Sequence, residues 1–318
     1  MSANLDPRKA FELKLAELGG ENERIVAVSC DSASGGGLSA FFEKYPERSI
    51  EAGISEQAAV SICAAMSVQG FIPVLVAINP FLTMRAYEQI RDDIGYMNSN
   101  VKIAGSGGGL AYSTLGSTHI AIEDIALMST VPNLTILSPG DADETGAALE
   151  QAFAIEGPVY IRMPRQARPL PKPSEDRVFV QGKAEVLRDG KDAAIFAYGP
   201  RVSEAMKAAE ILEQEGVGAA VVGFLTVKPL DKDIVLHYAS SGIPVFTVEE
   251  HIAAGGLGAA VSQEIATSGV AVTVDISAIP MGSKQTGPYE ELVDFYGLSG
   301  EKLAERIRTR LKAPVRLL

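Results

Sequence analysis

One carboxylate, Glu56, occupies a position in this sequence where an acid could take part in catalysis. The stretch 49–57 (SIEAGISEQ) reads as the end of a buried strand that runs directly into an apolar helix. Ser55 is a suitable N-cap, and it places Glu56 in the first turn, where backbone N–H groups have no intrahelical partner. Because the helix dipole favours acids in any first turn, this position alone does not separate a catalytic acid from an ordinary helix start.

The rest of the chain alternates short apolar runs with helical patterns, which predicts an α/β fold. The predicted strands are 25–30, 71–78, 101–105, 134–137, 159–163, 193–197, 219–224, 245–248 and 272–276. The predicted helices are 8–18, 83–96, 120–128, 141–155, 202–215, 255–266 and 303–311. We therefore expect two doubly wound, mostly parallel-sheet domains, 1–180 and 181–318, joined by a proline-rich linker at 164–174.

Composition and charge narrow the classes of function. The chain has 318 residues, of which 47% are hydrophobic and 21% charged, and its formal net charge is -12. This acidic balance argues against nucleic acid or an anionic membrane as the main partner, and no apolar stretch is long enough to span a bilayer. Cys30 and Cys63 lie in apolar contexts, which indicates reduced buried thiols. Together with a start that lacks a signal-peptide pattern, this predicts a cytoplasmic protein.

Several common catalytic motifs are absent from the sequence. It has no glycine fingerprint of a dinucleotide site, no P-loop and no nucleophile elbow. The histidines, His119, His237 and His251, do not have metal-ligand spacing, and two cysteines cannot form a structural zinc site unaided. We therefore expect no metal site built by this chain alone.

Five segments, taken together and in order, resemble the C-terminal half of transketolases, which are thiamine diphosphate enzymes. They are 7–11 (PRKAF), 53–57 (GISEQ), 85–91 (RAYEQIR), 116–124 (GSTHIAIED) and 160–165 (YIRMPR). Each motif alone is weak, but five at compatible spacing along nearly the whole chain are strong. The resemblance implies a pyrimidine-binding domain, a transketolase C-terminal domain, and transfer of a two-carbon ketol unit from a ketose or ketose phosphate to an aldose or aldose phosphate.

The resemblance also implies which residues meet the cofactor. Glu56 is similar to the glutamate that hydrogen-bonds the pyrimidine ring nitrogen of thiamine diphosphate and donates a proton there, which favours the ring's imino form. The family places an aromatic side chain against that ring. Leu82 falls there in strict register and Phe81 lies one residue away, and ordinary core packing is the alternative for either.

For the substrate, the resemblance implies four residues. His119 aligns with a catalytic residue near the donor-ketose oxygens. Arg8 and Arg165 match arginines that clamp a sugar phosphate, and guanidinium groups suit that dianion. Ser34 is expected to add a hydroxyl from the loop 31–37.

Two positions depart from the family pattern. Leu115 stands where an aspartate usually reads a donor hydroxyl, and Gly107 stands where many members have a histidine that contacts phosphate. Both changes remove polar groups from the substrate channel. The usual sugar-phosphate specificity is therefore in doubt, and an unusual ketose or a keto acid would fit.

A segment that the family uses for the diphosphate, Gly-Asp-Gly…Asn-Asn, does not occur in this sequence. We therefore expect one chain of a split enzyme whose diphosphate is bound by a separate N-terminal subunit. That partner would also hold most of the ligands of a Mg²⁺ or Ca²⁺ ion. The family implies an α2β2 assembly, because its cofactor sites form between domains of different chains.

Three other functions remain open. The β subunit of a 2-oxoacid dehydrogenase E1 component has the same layout, and 248–251 (VEEH) and 255–258 (GGLG) look similar in both families. A 1-deoxyxylulose-phosphate synthase-like enzyme would decarboxylate pyruvate, and a regulatory subunit would have no activity. The matches at Arg8 and His119 favour transketolase, and the retained Glu56 favours an enzyme. Glu250 and His251 could lie at the second domain's interface, without an assigned role.

Overall fold

The computed structural model describes residues 5–166, 177 and 179–312. Most of the predicted linker, 164–174, lies outside these described residues. Within them, no helix is both long enough and apolar enough to cross a membrane.

The described residues contain two β-sheets, one of seven strands and one of five. In chain order the strands are β1 (Ile25–Ser29), β2 (Ser49–Glu51), β3 (Ile72–Ile78), β4 (Lys102–Ser106), β5 (Thr135–Leu137), β6 (Val159–Met163), β7 (Glu185–Arg188), β8 (Ala193–Ala197), β9 (Ala219–Gly223), β10 (Thr226–Lys228), β11 (Val245–Ile252) and β12 (Val274–Ile279). The first sheet has the order β10-β5-β6-β4-β3-β1-β2, and the second has the order β12-β11-β8-β9-β7. Pairing is parallel except at two edge strands, β10 and β7. The predicted mostly parallel α/β class is confirmed.

Helices cover both faces of the sheets. They are α1 (Pro7–Glu21), α2 (Ser39–Lys44), α3 (Glu56–Val68), α4 (Tyr87–Gln89), α5 (Asp124–Ser129), α6 (Ala142–Ala154), α7 (Arg201–Gln214), α8 (Lys232–Ser240), α9 (Leu257–Ser268), α10 (Tyr289–Phe295) and α11 (Gly300–Lys312). Phe11 and Leu15 of α1 belong to the same buried apolar cluster as Leu149 of α6. Val60 and Cys63 of α3 belong to a different cluster, which continues into the second half of the chain.

The structure differs from the predicted elements at several places, of which three lie at or near the candidate site. The predicted helix 83–96 forms two π-helical segments, Phe81–Arg85 and Ile90–Tyr96, on either side of α4. The predicted helix at 120–128 starts only at Asp124. β2 is an exposed edge strand, and not a buried one as predicted, because it pairs on one side only.

The edge strand β10 comes from beyond the predicted domain boundary and completes the first sheet. It pairs antiparallel with β5, and Ser138 donates its backbone N–H to the carbonyl oxygen of Leu225 at 2.8 Å. The division into 1–180 and 181–318 stays a prediction. Because β10 comes from the second half of the chain and pairs within the first sheet, it joins the two halves.

Candidate active site

The candidate site is built from loops at one edge of the first sheet. The loops after β1, β3, β4 and β6, and the turn from β2 into α3, all leave the carboxyl ends of parallel strands. In open α/β sheets ligands bind at this edge. The loop after β1 lies close to the start of α1. A β-carbon added at Gly37 in this loop would be only 2.7 Å from the carbonyl oxygen of Arg8.

Glu56 is the first residue of α3 and is positioned by the turn before it. Gly53 has a φ of 67°, in the left-handed region that glycine adopts with little strain. Ser55 is the N-cap residue as predicted, but its hydroxyl donates to the carbonyl oxygen of Ala52 at 2.7 Å and does not cap the helix. Glu56 is 2% exposed. Its carboxylate accepts a hydrogen bond from Arg85 Nη1 at 3.0 Å.

Aromatic rings extend from Glu56 across the loops. The Arg85 guanidinium lies 4.3 Å from the centre of the Phe81 ring. The Phe81 ring meets the imidazole of His119 edge to face, with the ring centres 5.1 Å apart. Leu82 is 0% exposed and belongs to the apolar core. Of the two predicted ring contacts, Phe81 therefore shares a surface with Glu56's partner and with His119, and Leu82 does not.

His119 lies on the loop after β4. Its Nδ1 is 2.8 Å from the hydroxyl of Thr118, and its ring centre is 6.1 Å from that of Tyr112. The Tyr112 ring in turn lies 4.5 Å from the guanidinium of Arg165. The structure thus brings together the predicted residues His119 and Arg165 through Tyr112, which the sequence analysis did not single out.

Arg8 is engaged by a neighbouring carboxylate. Its Nη2 and Nε donate to the two carboxylate oxygens of Asp6, at 2.6 Å and 3.2 Å. Burial opposes ionisation of Asp6, but hydrogen bonds and charge from Arg8, with a smaller contribution from Arg165, lower its pKa. Ser34 is exposed on the loop after β1.

Tyr112 occupies the space that Gly107 leaves open. Gly107 has a φ of 82°, and a β-carbon there would lie 2.1 Å from the Tyr112 ring. A residue with a side chain at 107 is therefore incompatible with the present position of that ring. Leu115, the other departure from the family pattern, is 55% exposed on the same loop.

A buried polar network under the site was missed by the sequence analysis. One carboxylate oxygen of Asp124 accepts hydrogen bonds from Arg162 Nε at 2.7 Å, Tyr160 at 2.8 Å and Asn79 at 3.0 Å. Burial raises the pKa of Asp124, but the charge and hydrogen bond of Arg162, together with His251 and Tyr160, outweigh burial, and the net shift is downward. The strand positions of Tyr160 and Arg162 look apolar in context, so only the tertiary pairing reveals this network.

Glu250 and His251 join the two halves of the chain. Glu250 accepts a hydrogen bond from the backbone N–H of Leu110 at 3.0 Å, and His251 Nε2 accepts one from Ala126 at 3.2 Å. Burial lowers the pKa of His251, although Asp124 opposes the shift, which suits a neutral ring that accepts at Nε2. The structure thus places both residues at the contact between the halves.

Within the described residues, no group of three or more His, Cys, Asp or Glu side chains could hold a metal ion. Both described cysteines are buried free thiols. Burial, reinforced by the charge of Glu56, raises the pKa of Cys30 to about 11, so this thiol stays protonated near neutral pH. The chemistry of the site therefore rests on Glu56, His119, the arginines and the aromatic rings.

Comparisons with known proteins find a family match over nearly the whole chain. Residues 3–171 match the transketolase pyrimidine-binding domain, and residues 182–303 match the transketolase C-terminal domain. A putative transketolase C-terminal section from Methanocaldococcus jannaschii is 35% identical over 306 residues, which cover 96% of both chains. One subunit of an apulose-4-phosphate transketolase from Phocaeicola vulgatus is 36% identical over 94% of this chain and 95% of its own length.

Longer relatives match over part of their length. A 1-deoxy-D-xylulose-5-phosphate synthase from Heliobacterium modesticaldum is 36% identical over 94% of this chain, which spans 46% of that enzyme.

A solved structure described as a split gene transketolase, inactive beta4 tetramer, is 35% identical and has a TM-score of 0.86 over 97% of this chain and 98% of its own. The chain therefore belongs to the transketolase family and corresponds to its C-terminal section, the pyrimidine-binding domain followed by the C-terminal domain.

Proposed function

We propose that this chain is the C-terminal subunit of a two-chain, thiamine diphosphate-dependent transketolase. It would transfer a two-carbon ketol unit from a ketose to an aldose. The observation that carries the proposal is the buried carboxylate of Glu56 at the carboxyl edge of the first sheet. Arg85 links this carboxylate to the Phe81 ring, because it donates a hydrogen bond to Glu56 and lies over that ring.

The residues present fit the pyrimidine end of the cofactor. A ring nitrogen needs a buried carboxyl group as partner, and an aminopyrimidine ring needs a flat apolar surface beside it. Glu56 supplies the first and Phe81 the second, while Leu82 is enclosed in the core. We therefore assign the ring contact to Phe81, and Leu82 to the support of the loop behind it.

When bound, thiamine diphosphate would supply the nucleophilic carbon and the electron sink for cleavage of a ketose C–C bond. Glu56 would hold a proton at the pyrimidine ring nitrogen. His119, 5.1 Å from Phe81 between ring centres, would orient the donor-ketose oxygens. Arg8, Arg165 and the hydroxyl of Ser34 would line the outer part of the substrate channel.

The diphosphate and its divalent cation, Mg²⁺ or Ca²⁺, would be bound mainly by an N-terminal partner subunit. Among the described residues no cluster could hold a metal ion, so the cation needs ligands from elsewhere. A relative named as one subunit of a transketolase and a structure described as an inactive beta4 tetramer support a two-chain enzyme. We propose an α2β2 holoenzyme in the cytoplasm, and inactive self-association of this chain alone.

The test replaces Glu56 in the complex reconstituted with the diphosphate-binding subunit. Glu56→Gln keeps a hydrogen bond to the ring nitrogen but cannot exchange a proton, so turnover should fall about 10²–10⁴-fold with cofactor affinity little changed. Glu56→Ala should also weaken cofactor binding, measured by calorimetry. Glu47→Gln, an exposed carboxylate outside the site, is the control and should match the parent. Full turnover by Glu56→Ala would disprove the proposal.

The likeness to 1-deoxy-D-xylulose-5-phosphate synthases supports one alternative activity, condensation that starts from pyruvate. Release of CO₂ from pyruvate by the reconstituted complex, without transfer from ketoses, would favour it. Reduction of a lipoyl carrier would favour a 2-oxoacid dehydrogenase. Full activity of the partner without this chain would favour a regulatory role.

A further inference from the structure

Three features lie where the proposed function puts the outer part of the substrate channel. The first is the Tyr112 ring, which fills the volume above Gly107. The second is its position between His119, at 6.1 Å between ring centres, and the Arg165 guanidinium, at 4.5 Å. The third is the Asp6–Arg8 ion pair, at 2.6 Å. The second and third features each engage an arginine, Arg165 or Arg8, to which the proposed function gives a place in the channel.

The two arginines are therefore poorly disposed to receive a phosphate. Arg8 already donates two side-chain hydrogen bonds to the two oxygens of one carboxylate, the geometry that a phosphate would need. Arg165 has one face of its guanidinium against the Tyr112 ring. A phosphate dianion would meet the negative charge of Asp6 beside Arg8 and the ring beside Arg165.

We propose that Tyr112 and the Asp6–Arg8 pair make this channel selective for sugars without a terminal phosphate. The proposal rests on the proposed function and defines its substrate class. Tyr112 is the specificity-determining residue, because its ring excludes volume at the channel end. Asp6 acts through Arg8, because its carboxylate neutralises the guanidinium.

The catalytic test compares a matched pair of acceptors, D-glyceraldehyde and D-glyceraldehyde 3-phosphate, with one ketose donor and the reconstituted complex. The parent should have a kcat/KM for the free aldehyde at least equal to that for the phosphate. A preference of tenfold or more for the phosphate would overturn the proposal. Turnover of neither acceptor would count against the proposed function, and the binding test below would then decide the present proposal.

The binding test uses the full chain alone and needs no turnover. Asp6→Asn keeps a side-chain oxygen that can accept the Arg8 backbone N–H at the start of α1, but removes the negative charge. By calorimetry, Asp6→Asn should bind D-glyceraldehyde 3-phosphate at least tenfold more tightly than the parent. Equal affinity of Asp6→Asn and parent, or tight binding by the parent itself, would overturn the proposal.

The role of the Tyr112 ring is separated from that of its hydroxyl by two variants. Tyr112→Val removes the ring and should move the preference at least fivefold toward the phosphorylated acceptor. Tyr112→Phe keeps the ring and should retain the parent's preference. If Tyr112→Phe shifts the preference as much as Tyr112→Val, the hydroxyl controls selectivity and the ring-exclusion argument is wrong.

Discussion

Arg85 is the residue that most directly competes with the proposed cofactor. Its guanidinium pairs with Glu56 at 3.0 Å and covers the Phe81 ring at 4.3 Å, the two surfaces that an aminopyrimidine would use. The Arg85 side chain is 42% exposed, so it can move into solvent. A pair with both partners exposed is worth about 0.2–1 kcal/mol, a factor of about 1.5–5 in affinity. Loss of Arg85 costs more than this, because the Glu56 side chain is only 3% exposed and its charge stays buried without that partner.

We therefore expect Arg85→Ala to tighten thiamine diphosphate binding to the reconstituted complex by about 1.5-fold or more, because the cofactor no longer displaces the guanidinium. Calorimetric titration measures the change. Arg91→Ala is the matched control, since Arg91 is an equally exposed arginine further along the same helical region and pairs with Asp92. Weaker cofactor binding by Arg85→Ala would mean that this arginine contacts the cofactor instead of competing with it.

At the scale of elements, local patterns were enough for the long elements. Apolar runs identified strands such as β3 and β6, because buried parallel strands read as continuous hydrophobic segments. Short edge strands such as β7 and β10 were missed, because edge pairing needs little apolar character. The two π-helical segments also escaped prediction. In the first of them, the Thr83 hydroxyl donates to the Asn79 carbonyl oxygen at 2.9 Å, a competing bond that periodicity does not show.

Among the residues of the candidate site, those set by local sequence could be predicted, and those set by contacts between distant segments could not. The position of Glu56 at the start of α3 could be predicted, because a turn, an N-cap residue and a helix start are local in sequence, whereas its catalytic role stays a proposal. Tyr112 could not, because its place depends on the open volume above Gly107. The network of Asp124 with Arg162 could not be predicted either, since the two residues lie on different elements. Interactions between distant segments are therefore the part that required the structure.

The start of α9 makes the stability of the second half depend on pH. Glu249 is 0% exposed and accepts backbone hydrogen bonds from Leu257 at 2.8 Å and Gly258 at 2.9 Å. Burial raises its pKa to about 7, although these hydrogen bonds oppose the shift. Because the folded state then holds the proton more tightly than the unfolded state, this group's contribution favours folding below about pH 4.5 and is lost as the pH rises to about 7.

We expect the parent to lose on the order of 1–3 kcal/mol relative to Glu249→Gln between pH 4.5 and 7, because the glutamine does not ionise. Denaturant unfolding of both chains across this range gives the difference, in which other titrating groups cancel. A constant offset between parent and Glu249→Gln at every pH would show that the carboxylate remains ionised in the folded chain.

At the scale of the whole molecule, the solvent-exposed side of α3 and the residues next to it, which we call the α3 face, carry four large apolar side chains. Ile54 is 73% exposed, Ile62 41% and Val68 66%, and Phe71 beyond the helix is 42% exposed. A partner that holds the diphosphate must lie close to Glu56, at the beginning of this helix. We therefore infer that the diphosphate-binding subunit covers this face in the holoenzyme.

The substitution Ile62→Lys should weaken association with the diphosphate-binding subunit by about 10-fold or more. It removes from the contact the 41% of Ile62 that is still exposed, a share of the about 1.5–3 kcal/mol for full burial, and it places an unpaired charge there. Sedimentation or native mass spectrometry of the mixed subunits measures the assembly. Phe295→Lys on α10 is the matched control, because Phe295 is 64% exposed on an element of the second half. Loss of assembly by Phe295→Lys but not by Ile62→Lys would place the subunit contact on the second half. The inference that the diphosphate-binding subunit covers the α3 face would then be wrong.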